Sequence, residues 1–70
     1  MAKFQIRWNP EIQISSNDIE DYLLHKNKDD IQVIFKGGNT LRYLGNVSLT
    51  KIEKELQNHF MGEFEVRQVN

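Results

Sequence analysis

Residues 30–47 read DIQVIFKGGNTLRYLGNV, and this stretch decides the fold. Two runs rich in β-branched and aromatic residues flank the Gly-Gly-Asn sequence at 37–39, which is the composition of a β-hairpin. Successive side chains of a strand point to opposite faces, so residues that pair across a hairpin must share a face. The apolar residues that suit a core stand at odd numbers in both runs. The register of the hairpin must therefore pair odd-numbered residues of one strand with odd-numbered residues of the other.

The loop at 37–39 sets that register. A two-residue loop would pair odd with even and place Phe35 opposite Arg42. A three-residue Gly-Gly-Asn loop closed by Lys36 and Thr40 satisfies the parity, and its residues tolerate positive φ. We therefore predict this longer loop, with Phe35 opposite Leu41 on the core side of the hairpin.

Length and composition bound the rest of the chain. Seventy residues predict one small domain, residues 1–70, that buries only ~60% of its unfolded surface. The formal charge of −1 favours neither nucleic acid nor an acidic tail, and the lack of cysteine excludes thiol chemistry. The N-terminal MAKFQIRW lacks the apolar core of a secretion signal, and no run is long enough to span a membrane. We expect a cytoplasmic protein without membrane contact.

Four further elements surround the hairpin. Clean alternation predicts a strand at 3–8, and Asn9-Pro10 ends it because proline lacks an amide donor. A helix begins at 15–17, with Asn17 and Glu20 as the expected cap, and continues to about Asn27. A second helix spans about 49–60, capped either by Ser48 or by Thr50 with Glu53, and Gly62 is the expected stop. Alternating apolar and polar residues predict the last strand at 63–69. Residues 11–15 fit either a strand or a loop.

The element order is strand, helix, strand, strand, helix, strand. We therefore expect an α+β fold, a ferredoxin-like βαββαβ sandwich with a four-stranded antiparallel sheet. Right-handed crossovers would place both helices on one face of that sheet. The other sheet face would be left open to solvent.

Catalytic or metal-binding patterns are lacking. His25 and His59 fall late in the two helices, where imidazole suits the helix dipole, and no nucleophile elbow accompanies them. The acidic clusters at 18–21 and 29–30 do not have calcium-loop spacing. We predict that the chain is not an enzyme and holds no metal or cofactor.

The open sheet face carries the functional prediction. Charged side chains are common on wet sheet faces for solvation alone, but this face is expected to hold most of the chain's basic residues next to apolar ones. Apolar anchors with arginine at the rim are typical of protein interfaces. We predict a small module that binds, and regulates or inhibits, a protein partner. The predicted contact residues are Arg7, Ile34, Lys36, Arg42, Leu44 and Arg67.

Two other partners are compatible with the same surface. A second copy of the chain would make a homodimer and support a small core. Sequence-independent nucleic-acid binding is the alternative function, although we expect no exposed aromatic residue for base stacking. The cations that would contact phosphates are Lys3, Arg7, Lys36, Arg42 and Arg67.

Overall fold

The computed structural model describes residues 1–69 of the chain. It contains two helices and four strands in the order β-α-β-β-α-β, which confirms the predicted α+β element order. A short 3₁₀ helix at Lys28–Asp30 joins the first helix to the second strand. The elements are β1 (Ala2–Trp8), α1 (Ser16–Asn27), β2 (Ile31–Gly37), β3 (Thr40–Gly45), α2 (Leu49–Phe60) and β4 (Phe64–Gln68).

The four strands form one open antiparallel sheet in the order β2-β3-β1-β4. β1 and β3 are the inner strands, and their pairing places Phe4 opposite Tyr43 and Ile6 opposite Leu41. β2 and β4 are the two edges. The inner pair therefore presents aromatic and aliphatic residues in matched positions on one sheet face.

One hydrophobic core joins the sheet to both helices. Ile19 and Leu23 of α1 and Ile52 and Leu56 of α2 are fully buried in it. Burying a side chain of this size stabilises the fold by about 1.5–3 kcal/mol. The strand residues of the same cluster are Phe4, Ile6, Trp8, Ile31, Leu41, Tyr43 and Phe64.

Serine caps both helices. Ser15 accepts a hydrogen bond from the Asp18 amide at 3.2 Å, so the prediction of Asn17 as the cap was wrong by two positions. Ser48, one of the two candidates, caps α2 by accepting a hydrogen bond from the Lys51 amide at 3.4 Å. The last residue of α2 is Phe60. The next residue, Met61, is the C-cap in the left-handed conformation, one residue before the expected glycine.

The segment 11–15 is a loop, which resolves the alternative that the sequence leaves open. The amide of Glu11 donates to Asn9 Oδ1 at 2.9 Å, and the amide of Ile12 donates to the Asn9 carbonyl at 3.0 Å. Asn9 thus starts a turn that ends β1. Ile14 still packs against the core from this loop.

The central hairpin differs from the prediction. Its loop has two residues, Gly38 and Asn39, and Gly37 pairs with Thr40. Gly38 has a φ of +52°, the sign that a type II′ turn requires at its first central residue. The shorter loop pairs Phe35 with Arg42, which is the pairing that the parity argument rejects.

A β-bulge at Ile34 resolves the parity conflict. It lies between Val33 and Phe35, and it shifts the register of β2 against β3 by one residue. Before the bulge, Val33 pairs with Tyr43. After it, Phe35 and Lys36 exchange faces, because one extra residue reverses the alternation.

Candidate interaction surface

The sheet face away from the core is the candidate site, and we call it the open face. Its residues alternate with the buried ones, and the sheet register arranges them in rows across the four strands. Ile34 lies beside them at the bulge. The open face consists of Lys3, Gln5, Arg7, Gln32, Phe35, Thr40, Arg42, Leu44, Glu65 and Arg67.

Arg42 and Phe35 form a cation–π pair within one row. The Arg42 Cζ lies 5.3 Å from the centroid of the Phe35 ring, within cation–π range. Arg42 Nε donates a hydrogen bond of 2.9 Å to Gln5 Oε1 on the next strand. Gly37 leaves room for the ring, since a Cβ there would lie 3.0 Å from Phe35 Cζ. The arginine is therefore held on both sides by its neighbours.

Apolar side chains surround this pair. Phe35 is 48% exposed and Ile34 is 43% exposed, and they are adjacent in the chain. Leu44, half-buried on β3, lies one row further along, opposite Lys3 and Gln32. The predicted anchors Ile34 and Leu44 are thus joined by a third apolar group that the sequence analysis placed in the core.

Lys36 does not lie on the open face, so its predicted position on that face was wrong. Its Nζ lies 2.8 Å from Glu20 Oε2 and 2.7 Å from Asn17 Oδ1, both on α1. The bulge turns this side chain to the core side of the sheet edge. There its long stem reaches the first turns of α1 while the charge stays at the surface.

The other two predicted arginines differ in their pairing. Arg67 Nε lies 2.7 Å from Glu65 Oε1, and both side chains are well exposed. The Arg7 side chain is exposed and forms no hydrogen bond or ion pair with any residue of the described part of the chain. Arg7 and Glu65 line an open depression of about 330 Å³ that also reaches Trp8, Asn9, Pro10 and Asn39.

The charge of the open face remains positive after these corrections. Among the strand residues described, it carries four cations, Lys3, Arg7, Arg42 and Arg67, against the single carboxylate of Glu65. Because the whole chain has a formal charge of −1, the remaining surface is acidic. The molecule therefore has two sides of opposite charge.

The histidines lie apart from the open face. His25 and His59 are both exposed, and the His59 ring stacks on Tyr22 with centroids 4.1 Å apart. Burial and the nearby Glu55 carboxylate raise the pKa of Tyr22. Across residues 1–69, no three His, Asp or Glu side chains are grouped so that they could hold a metal ion. In the same range, no helix is long and apolar enough to cross a membrane.

Phe35 is the surface residue that sequence reasoning missed. A signal was present, because Gly-Asn between two strands is a recognised two-residue hairpin turn with glycine first. A two-residue turn at Gly38 and Asn39 pairs Phe35 with Arg42. The parity of the core residues argued against it, and the bulge that reconciles the two rules has no sequence signature in this stretch.

Comparison with known proteins adds no family assignment. No known protein family, curated protein sequence or solved structure matches this chain. The function is therefore inferred from the geometry and charge of the open face.

Proposed function

We propose that this chain is a small, non-enzymatic module that binds a protein partner through its open face and regulates or blocks that partner. The exposed pair Ile34–Phe35 beside Arg42 carries this proposal. Large apolar side chains are costly to leave in water, and a cluster of them next to an arginine has the composition of an interface centre. A cytoplasmic location stays part of the proposal.

We also infer a ferredoxin-like arrangement of the sandwich. The strand order β2-β3-β1-β4 follows from two β-α-β crossovers, each skipping one strand. The shared core cluster of α1, α2 and one sheet face supports helices on that face alone. This arrangement would leave the open face free for a partner.

A role without catalysis agrees with the chemistry of the surface. Substrate pockets normally enclose most of a small ligand, whereas the depression beside Arg7 is wide open to solvent. The two histidines are exposed on the helices, and neither has a serine or carboxylate hydrogen-bond partner among residues 1–69. The open face offers recognition rather than an enclosed reaction site.

Nucleic-acid binding is the second candidate, and one observation favours it. Phe35 is an exposed aromatic ring next to an arginine, which is a platform on which a base can stack. Two other observations weaken it. Lys36 is bound to α1, and Arg67 is paired with Glu65, so fewer cations remain for phosphates than the sequence predicts.

Affinity capture tests the protein-binding proposal. The immobilised chain is exposed to extract of its source cells, and captured proteins are compared between wild type and Ile34→Asp, Phe35→Asp and Leu44→Asp. Each change puts a carboxylate into the apolar cluster, and we expect at least a tenfold loss of the specific partner, by analogy with hot-spot truncations of about 2 kcal/mol or more.

The matched control is Met61→Asp. Met61 is 89% exposed at the end of α2, so this variant makes the same apolar-to-acidic change away from the open face. Far-UV circular dichroism checks that every variant is folded. If all three open-face variants still capture every protein that the wild type captures, the open face is not the interface and the proposal is rejected.

A further inference from the structure

We infer that Arg42 is a preformed receptor for a carboxylate, and that the occupant of the open face is an acidic protein segment with an apolar side chain next to its Asp or Glu. This inference rests on the proposed function and names the chemistry of the partner.

The first argument is the fixed orientation of the Arg42 guanidinium. The Phe35 ring lies within cation–π range of Cζ, and Gln5 accepts a hydrogen bond from Nε, so the side chain is held from two directions. Neither Nη atom takes part in a hydrogen bond or ion pair with residues 1–69. A planar guanidinium with free outer donors binds a carboxylate through two parallel hydrogen bonds, and little side-chain entropy remains to be lost.

The second argument is the charge around Arg42. Gln5 lies opposite it on β1, and Lys3 and Arg7 flank Gln5 on the same face. In an antiparallel sheet such diagonal neighbours are about 7–8 Å away. Neither cation forms an ion pair in the described part of the chain. Glu65 lies opposite Arg7 on β4, but its carboxylate pairs with Arg67. The centre of the open face therefore has an excess of positive charge.

The third argument selects the kind of acid. Phe35, Ile34 and Leu44 lie beside the guanidinium and form an apolar surface that a phosphate backbone would leave uncovered. A peptide with Asp or Glu next to an aliphatic residue satisfies both features. Its carboxylate binds Arg42, and its neighbouring side chain covers the apolar cluster.

Other occupants fit less well. Two open faces of this chain would oppose cation to cation, which disfavours a face-to-face dimer. Strand addition along β2 would need an evenly spaced row of backbone groups, and the bulge at Ile34 interrupts that row. An acidic segment lying across the face meets neither obstacle.

Amide and arginine side-chain chemical shifts of labelled protein test the inference. The probes are a short capped peptide in which Asp alternates with Leu, the matched peptide with Asn in place of each Asp, and a mixed-sequence oligonucleotide. We expect the acidic peptide to shift the Arg42 Nε resonance and the open-face amides. The Asn peptide should bind at least about tenfold more weakly, the loss expected for a charge-assisted hydrogen-bond pair.

Variants at Arg42 separate geometry from charge. Arg42→Lys keeps the charge and removes the planar donor pair, and we expect it to weaken binding of the acidic peptide by about tenfold. Arg42→Gln should weaken it further. Lys54→Gln removes the same charge from exposed α2 and serves as the control that should bind like wild type.

The outcomes are distinct. The inference is overturned if the two peptides bind equally or if neither binds. It is also overturned if Arg42→Lys keeps wild-type affinity or if the shifts are confined to the β2 edge. Binding of the oligonucleotide alone would overturn it in favour of phosphate. If Phe35→Asp abolishes capture of the cellular partner while Arg42→Lys has no effect, the proposed function stands and the carboxylate receptor does not.

Discussion

At the scale of single residues, the Tyr43 hydroxyl lowers the stability of the fold. Its side chain is fully buried on β3, and its ring stacks on Phe4 with centroids 5.5 Å apart. Its hydroxyl has no hydrogen-bond partner in the described structure. A buried polar group without a partner costs about 1–3 kcal/mol, so the ring stabilises the core while the hydroxyl opposes it.

We therefore expect Tyr43→Phe to stabilise the protein. The variant keeps the stacking ring and removes the unpaired hydroxyl, and the gain should be about 1 kcal/mol at neutral pH. Urea unfolding followed by fluorescence of the buried Trp8, the sole tryptophan, measures it. A loss of stability would mean that the hydroxyl has a partner, such as a bound water.

The same variant should change the response to alkali. Burial, and then the nearby Glu20 and Asp21 carboxylates, raise the pKa of Tyr43 above its ordinary value of 10.0. Below pH 10 both the folded and the unfolded chain keep the phenol proton. Above it the unfolded chain loses that proton first, so stability should fall by up to about 1.4 kcal/mol per pH unit. Urea titrations from pH 8 to 11 should show this slope for wild type and a smaller slope for Tyr43→Phe, in which Tyr22, whose pKa is also raised, still contributes.

At the scale of elements, close packing restricts the end of β3. A Cβ added to Gly45 would lie 2.6 Å from Ile31 Cγ2 and 2.8 Å from the Asp30 carbonyl oxygen. The second contact is to backbone, which cannot move aside as a side-chain tip can. Gly45 thus lets the start of β2 approach β3 closely enough to pair.

Gly45→Ala should destabilise the fold by about 2 kcal/mol, within the range found for overpacked cores. Lys54→Ala on the exposed side of α2 is the control, because it also introduces alanine but at a position open to solvent. That control should stay within about 0.5 kcal/mol of wild type. Urea midpoints of the three proteins are compared, and equal midpoints for Gly45→Ala and wild type would show that the strands can separate without loss.

The elements were predictable to different degrees for physical reasons. Helices depend on local signals, and α2 has the predicted range 49–60 and one of its two candidate caps, Ser48. The hairpin depends on two non-local rules, turn type and core parity, which disagree in this sequence. A bulge at Ile34 satisfies both rules. It turns Lys36 toward the core side, and the contacts of Lys36 with α1 offset the cost of that position. That tertiary contact cannot be deduced from the hairpin sequence.

At the scale of the whole molecule, charge separation is the main property. The open face is cationic, whereas the helices and loops carry most of the acids, although the chain as a whole is almost neutral. The sequence predicted this asymmetry because strand alternation assigns faces without knowledge of packing. It misassigned Lys36 and Phe35, the two residues after the bulge, and so the aromatic centre of the candidate site was missed.

The asymmetry predicts weak binding to nucleic acid. Three unpaired cations, Lys3, Arg7 and Arg42, are available on the open face. Counterion release then gives a plot of log affinity against log salt with a slope of about −3 on duplex DNA. Fluorescence anisotropy of a labelled duplex over a salt series measures it. A slope near −6 would show that cations beyond the open face contact phosphate.

The bulge at Ile34 has a further consequence at high protein concentration. An edge strand with exposed apolar side chains is the kind of template on which cross-β fibres grow, because each added chain continues the hydrogen-bond ladder. β2 has such side chains, but its extra residue breaks the even repeat that a fibre needs. The irregularity that exposes Phe35 thus also makes the β2 edge a poorer template for fibre growth, because an added strand cannot continue the ladder evenly past Ile34.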